Sequence, residues 1–311
     1  MEIQIMKIIS AVFYGFVSLF ITLALKAILT IFKFPSVTFV GLCQIISTIC
    51  LSLSFKCYRV ESLNFSFKNI VNVFPLPIFY ILDILMGLFG TMELNLPMFT
   101  VLRRISNVLL LIAEIIFLKS HHCKISKISI FLMLLGSVVA ALNDLSFSLT
   151  GYTFVMVNNI STVVGGIYLK LKQRRLIMND LEIVFFNALV AFLPLLLIFL
   201  YTSDFDKVIH FKDWENGYFL LLFSAACSLG ALLKFSMVLC TQYNGPLTTS
   251  IIGVAKNIIV TYIGMHFAGD YIFNWKNFIG INISMFGAIL YISKNFKFKM
   301  FHSKTEVILK L

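Results

Sequence analysis

Long apolar runs separated by short polar breaks make up almost the whole chain. Segments 8–32, 35–55, 73–92, 97–118, 126–142, 152–169, 181–201, 216–240, 246–268 and 275–293 are dominated by Leu, Ile, Val, Phe and Ala. A helix rising 1.5 Å per residue needs about 20 such residues to cross the hydrocarbon core. The pattern therefore predicts an all-α integral membrane protein with ten transmembrane helices and little chain left for a soluble domain. The N-terminal run is about 25 residues long and lacks a small-x-small cleavage site, so it reads as a retained first span rather than a secretory signal. Composition agrees: 59% hydrophobic residues, 13% charged and 33 Phe, with a mean hydropathy of +0.96, lie well outside the range of soluble domains.

The basic residues give the topology. With the N-terminus inside, inside segments hold 16 of the 25 Lys and Arg, outer loops hold four (Lys33, Lys207, Lys212, Lys276), and five lie within the spans. Cytoplasmic loops carry such an excess, so both termini are expected in the cytosol. The net charge of +11 is thereby explained: Lys170 to Arg175 and the tail Lys294 to Lys310 flank spans and read as topology determinants, not nucleic-acid patches.

Other chemistry is sparse. No cysteine falls in an outer loop, so disulfides are not expected. The sequons at Asn64, Asn159 and Asn282 fall in a cytosolic loop or in spans. The five histidines show no metal-ligand spacing, and there is no Walker loop, dinucleotide fingerprint or nucleophile elbow. The chain reads as a non-enzyme without cofactor, and any concentrative transport must draw on a gradient or on exchange. No Gly-x-x-x-Gly face stands out, so the choice between monomer and homodimer stays open.

An internal echo suggests the architecture. Asn95-Leu96-Pro97-Met98-Phe99-Thr100 opens the fourth span, and Asn244-Gly245-Pro246-Leu247-Thr248-Thr249 opens the ninth, 149 residues later. Pro suits the first turn of a helix. An odd number of spans separates the copies, so they point in opposite directions across the membrane. Inverted repeats place a substrate site near the midplane where their halves meet. The division expected is a first five-helix repeat at 1–150, a second at 151–295, and a basic tail at 296–311.

Polar groups inside the spans then become candidates for that site. Lys256 lies about 15 Å into the ninth helix, near mid-bilayer; an ammonium there costs roughly 2.5–3.5 kcal/mol unless a cavity, partner or ligand receives it. Gly253 precedes it by one turn on the same face. The bland alternative is a lysine neutralised by Asp83 or Glu114. Arg103 and Arg104 differ by about 100° in direction, so at most one points straight into a shared cavity. One is expected to pair with Glu93 while the other reaches an anion, for which the guanidinium fork suits phosphate. Lys26 either lines the cavity or snorkels to the outer interface, and Lys234 is expected to snorkel to the cytosolic one. Phe185, Phe186 and Asn187 open the seventh span; the aromatic rings either anchor the helix at the membrane interface or offer, with the amide, a ring to stack on a base and a group to read its edge.

Leu94 to Arg104 resembles the fourth helix of the nucleotide-sugar transporters of the drug/metabolite transporter superfamily. Leu239-Cys240-Thr241-Gln242-Tyr243-Asn244, Gly253-Val254-Ala255-Lys256-Asn257-Ile258 and Gly269-Asp270-Tyr271-Ile272-Phe273 are similar to the branch containing the UDP-glucuronic acid/UDP-N-acetylgalactosamine transporter. The resemblance runs from about residue 30 to 293. It implies a ten-helix antiporter in Golgi or endoplasmic reticulum membranes that imports a nucleotide sugar and exports the nucleoside monophosphate. In GDP-mannose relatives, motifs at the positions of Phe185-Phe186-Asn187-Ala188 and Gly253 to Asn257 contact the base and the sugar phosphate. The resemblance therefore implies substrate contacts at Asn187, Phe186, Gly253, Lys256 and Asn257, beside the candidates Arg103, Arg104 and Lys26.

Departures from the family pattern refine this. Ala188 replaces a guanine-reading Asn and points to uracil, hence to a UDP-sugar:UMP antiporter. A GDP-sugar:GMP antiporter and a non-transporting relative are the alternatives. Leu25 stands before Lys26 where the family has Asn, and Asp83 replaces an Asn in the third helix, which disfavours a third negative charge on the sugar. The tail lacks paired lysines at retrieval spacing, favouring Golgi over endoplasmic reticulum.

Overall fold

A computed structural model of the chain describes residues 2–57, 67–120, 122–142, 144, 147–175, 180–202, 204–267 and 272–308. Among them are thirteen α-helices: α1 (Glu2–Lys26), α2 (Val37–Cys57), α3 (Phe67–Val73), α4 (Leu76–Glu93), α5 (Leu96–Leu102), α6 (Ile105–Phe117), α7 (Lys124–Leu142), α8 (Leu149–Arg175), α9 (Asp180–Tyr201), α10 (Phe205–Ile209), α11 (Gly217–Asn244), α12 (Pro246–Phe267) and α13 (Trp275–Ile308). No strand occurs among the described residues. The sequon at Asn64 and His121 lie outside them.

Among the described residues, seven helices are long and apolar enough to cross a membrane, at Gln4–Ile31, Val37–Phe55, Leu76–Glu93, Lys124–Leu142, Leu149–Gln173, Leu181–Tyr201 and Gly217–Asn244. The expected fourth span is not a single helix. It breaks between α5 and α6, where Arg104 N–H reaches back to Val101 O at 3.1 Å and Asn107 N–H to Arg104 O at 3.0 Å, the tighter three-residue spacing of a turn. The two guanidiniums leave this break in different directions, Arg103 toward α8 and Arg104 toward α13. Helix α13 runs to Ile308 without interruption at 295, and its side chains from 294 onward lie outside the described set.

Helices pack in reciprocal pairs: α7 along α13, α1 along α11, α4 along α8, α2 along α9, α1 against α12, and α8 against α6. Small residues set the α7–α13 seam. A Cβ on Gly136 would collide with Ser284 N, and one on Gly280 with Ala140 N. The helices thus touch backbone to backbone, as small-x-x-x-small faces allow in membranes. Ser284 Oγ donates to Met133 O at 2.9 Å and Asn277 Nδ2 to Ala140 O at 2.7 Å across the same seam. The sequence does contain a small-residue face, Gly280-x-x-x-Ser284-x-x-x-Ala288, and it is used within the chain.

The echoed motifs begin at opposite ends of α1. Lys26, near the end of α1, donates to Leu94 O just before α5. Asn244, just before α12, donates through Nδ2 to Lys7 O near the start of α1, at 3.1 Å. Their capping differs. Asn95 Oδ1 accepts Met98 N–H at 2.9 Å as an ordinary N-cap. Asn244 is the last residue of α11 and faces α1, so the first turn of α12 is capped from another helix: Glu114 Oε1 accepts Leu247 N–H at 2.7 Å.

Beyond the end of α1, an aromatic cluster of Phe34, Phe39, Phe211, Trp214, Phe219 and Phe223 closes the bundle. Beside it Ser36 Oγ and Thr38 Oγ1 donate to Asp204 Oδ2 at 3.0 and 3.1 Å, joining the start of α2 to the residue before α10.

Candidate functional site

A cavity of about 280 Å³ lies inside the helical bundle. Residues of α1, α2, α4, α5, α6, α8, α9, α11 and α12 line it. On α12 the face is Pro246, Thr249, Ser250, Gly253, Lys256 and Asn257, and on α8 it is Asn158, Ser161, Thr162, Gly165, Gly166 and Leu169. Both sets recur every three or four residues, the spacing of a single helical stripe. In otherwise apolar helices these stripes are small or polar, which leaves both room and hydrogen-bonding groups. On α9 and α11 the lining residues all fall in the half nearest the α8–α9 and α11–α12 connections, and on α8 and α12 they reach about mid-helix.

Lys256 stands on the cavity wall with Nζ donating to Ser18 O at 2.6 Å and Thr22 Oγ1 at 2.5 Å, both on α1. No carboxylate neutralises it among the described residues. Asp83 is engaged elsewhere, and Glu114 caps α12 and meets His122 Nε2 at 3.2 Å. Gly253 keeps a gap beside Tyr14, whose hydroxyl would stand 3.2 Å from a Cβ at that position. Asn257 is buried at the upper end of the stripe. Across the cavity, Asn187 on α9 lines the wall with an Oδ1 that has no hydrogen-bond partner.

A polar network forms the remaining wall. Arg103 donates to Asn158 Oδ1, to Thr162 Oγ1 at 3.0 Å, and approaches Asp83 Oδ1 at 3.9 Å. Asp83 accepts from Thr162 Oγ1 at 2.8 Å and pairs with Lys234 Nζ at 2.9 Å. Lys234 sits 4.5 Å above the Tyr80 ring, within cation–π range. It faces the cavity and does not snorkel as expected, because a carboxylate lies within its reach. Neither arginine bonds Glu93 among the described residues: Arg103 turns to α8 and Asp83, and Arg104 to the Ile281 carbonyl.

Lys256, Asn257, Gly253, Asn187 and Arg103 are thus brought around one cavity. Phe186, Arg104 and Lys26 are not. Phe186 is 1% exposed and packs edge-on against Phe185 with centroids 5.2 Å apart. It adjoins Asn187, and a step of about 100° turns it from the cavity when Asn187 faces in. For the same reason Arg104 departs from Arg103: it is fully buried, with Nη1 3.4 Å from Ile281 O on α13. Lys26, also fully buried, donates to Thr91 O at 3.3 Å and Leu94 O at 2.9 Å. These are carbonyls at the C-terminal end of α4, where a cation meets the negative end of the helix dipole. Ala188 is fully buried in the core and does not line the cavity. Sequence reasoning overlooked Tyr14, Asn158 and Thr162, although the polar stripe of α8 was there to be read at helical spacing.

A cleft lined by cations and amides inside an apolar bundle has the chemistry to receive a polar anion. The model of the Triose-phosphate Transporter family matches residues 5–292. The chain belongs to that family. Membership places it among transporters rather than enzymes, and its long apolar helices make it a multi-pass membrane protein. A similar family member is the UDP-sugar transporter sqv-7 of Caenorhabditis elegans, 42% identical over 94% of this chain and 90% of the relative. The nucleotide sugar transporter SLC35D2 of Homo sapiens is 40% identical over 93% and 86%. UST74c of Drosophila melanogaster, a UDP-sugar transporter, is 37% identical over 96% and 81%. One crystal structure, 14% identical, superposes with a TM-score of 0.61 across 91% of this chain and 96% of its own, a likeness of fold alone.

Proposed function

We propose that this chain carries UDP-sugars from the cytosol into the lumen of the Golgi, or of the endoplasmic reticulum, in exchange for UMP. The observation that carries the reading is the convergence of Lys256, Arg103 and Lys234 with the unpaired amide oxygen of Asn187 in one membrane-embedded cavity. Phosphate oxygens are received by the cations, and the Asn187 oxygen accepts the imide N–H of the base. The relatives named for UDP-sugars support uridine as that base.

Ten spans in two inverted five-helix repeats, 1–150 and 151–295, are the architecture we assign. It is supported by the reciprocal packing: exchanging each helix with its counterpart in the other half turns the α1–α11 pair into α8–α4, and α1–α12 into α8–α6, both of which occur. The opposite placement of the two Asn-x-Pro motifs relative to α1 supports it too.

Alternating access then follows from rocking the α1–α11 pair against the α4–α8 pair around the site. The lining residues of α9 and α11 fall toward the end that the charge count places in the cytosol. The bonds from Lys26 to the end of α4 hold α1 and α4 together at the far end, and they must part when the cavity opens there. Cargo phosphate replaces the Ser18 and Thr22 oxygens around Lys256. Because the emptied carrier leaves this ammonium with neutral partners, the loaded carrier crosses faster, which yields exchange.

Uptake of labelled UDP-sugars and GDP-mannose into proteoliposomes preloaded with UMP, GMP or nothing tests this. Uptake of UDP-sugar that rises with internal UMP is expected. Stimulation by GMP instead would overturn the base assignment, and absence of exchange with any nucleotide would overturn transport.

A further inference from the structure

Four charged side chains line the cavity among the described residues: Lys256, Lys234, Arg103 and Asp83. Three cations and one carboxylate leave a formal net of two positive charges. The carboxylate is held in place. Asp83 takes a 2.9 Å ion pair from Lys234, hydrogen bonds from Thr162 Oγ1 at 2.8 Å and Asn158 Nδ2 at 3.2 Å, and lies 3.9 Å from Arg103. It cannot swing away as cargo arrives, and it stands beside two of the cations that cargo phosphate would use. Lys26 and Arg104 are nearby cations that do not line the cavity; the first is spent on α4 carbonyls and the second lies toward α13.

A nucleotide sugar with an uncharged sugar carries two negative charges on its diphosphate at neutral pH, and a nucleoside monophosphate carries about 1.5 to 2. Either matches the cavity. A nucleotide uronate adds a third on the sugar carboxylate. In a site walled by protein and lipid, an unmatched charge has little water to hide it. We infer that Asp83 is a specificity-determining residue: by setting the cavity charge at two, it confines the cargo to nucleotide sugars whose sugar is uncharged and turns away uronates. This rests on the nucleotide-sugar reading above and narrows it to a substrate class. One unmatched unit charge several ångströms away, at an effective dielectric of ~20, shifts a preference by more than about tenfold.

The test uses the purified full chain in UMP-loaded proteoliposomes, with competing uptake of UDP-glucose and UDP-glucuronate. Wild type, Asp83→Glu, Asp83→Asn and the double variant Asp83→Asn with Lys234→Gln are compared. Wild type and Asp83→Glu are expected to favour UDP-glucose by about tenfold or more. Asp83→Asn, with a formal net of three positive charges, is expected to lose or reverse that preference. The double variant, again at two, is expected to regain it. Equal uptake of both sugars by wild type, or an unchanged ratio in Asp83→Asn, would overturn the charge match while leaving transport standing. Should Asp83→Asn fail to fold, a double variant that prefers UDP-glucuronate would overturn it as well. Uptake of neither sugar by wild type would instead remove the transport reading on which the inference stands.

Discussion

Gly136→Ala tests the packing of α7 against α13. The added methyl would lie 2.6 Å from Gly280 O and 2.7 Å from Ser284 Cβ, and closer still to Ser284 N. Two of these atoms are backbone, so no side-chain rotation relieves the clash, and α7 and α13 must separate by about 1 Å to restore van der Waals contact at ~3.4 Å. Overpacking of this kind costs about 1–3 kcal/mol. The upper end of that range is expected here, because separation also stretches the bonds from Ser284 Oγ to Met133 O and from Asn277 Nδ2 to Ala140 O. The assay is thermal unfolding of detergent-purified protein, with Val138→Ala on the exposed face of α7 as the control. No residue of α7 or α13 lines the cavity among the described residues. Folded Gly136→Ala protein should therefore keep the wild-type KM for UDP-sugar while unfolding at lower temperature. An unfolding temperature equal to that of wild type would refute the backbone-contact seam.

Three further outcomes are expected. Lys256→Ala should lower UDP-sugar exchange by more than about tenfold, as loss of a charge-assisted phosphate bond implies; full exchange by correctly folded protein would sink the assignment. Glu114→Ala removes the acceptor of Leu247 N–H and should destabilise the protein by about 1–3 kcal/mol, whereas Glu114→Gln, which keeps an acceptor, should lose less; denaturation in detergent micelles separates the two. Burial opposes ionisation of Asp204, but hydrogen bonds from Lys207, Ser36 and Thr38 outweigh it and hold the carboxyl below its usual range. A carboxyl lowered on folding contributes stability above its unfolded value of about 3.9 and loses it as pH falls through the folded value. Asp204→Asn should accordingly be less stable than wild type at pH 7, with the gap closing below about pH 4. A gap independent of pH would argue against an ionised Asp204 in that loop junction.

Membrane class and most span positions were legible because an apolar run of about twenty residues fits little besides a membrane-crossing helix. The helical stripe on α12 was legible too, since Gly253, Lys256 and Asn257 interrupt an apolar run at a spacing that defines one face. Which way a lone cation turns was not. Lys26, Lys234 and Lys256 look alike in sequence, each a lysine inside an apolar helix. Lys26 is taken up by carbonyls freed where α4 ends, Lys234 by Asp83, and Lys256 by α1. Those partners come from helices 65 or more residues away along the chain, and no local pattern encodes them. Adjacent residues gave the same difficulty. A step of about 100° on a helix told that Arg103 and Arg104 cannot share a cavity, and the same step separates Phe186 from Asn187, but choosing the inward member of each pair needs the rotation of the helix against its neighbours.

The three cavity cations are not equivalent, and the difference bears on how exchange is enforced. Arg103 and Lys234 share Asp83, so their charge is partly balanced whether or not cargo is present. Lys256 has the Ser18 carbonyl and the Thr22 hydroxyl, which are neutral. A phosphate dianion therefore gains most at Lys256, where it supplies a counter-ion that no described residue provides, and less at the other two, where it competes with a carboxylate already in place. On this division Lys256 governs whether the loaded and empty carriers cross at different rates, and the Asp83 group governs which cargo is accepted. Replacing Lys256 should abolish exchange for every nucleotide sugar alike. Replacing Lys234 or Asp83 should instead alter the ranking among them, and a variant of Asp83 that slowed all cargoes equally would remove the distinction.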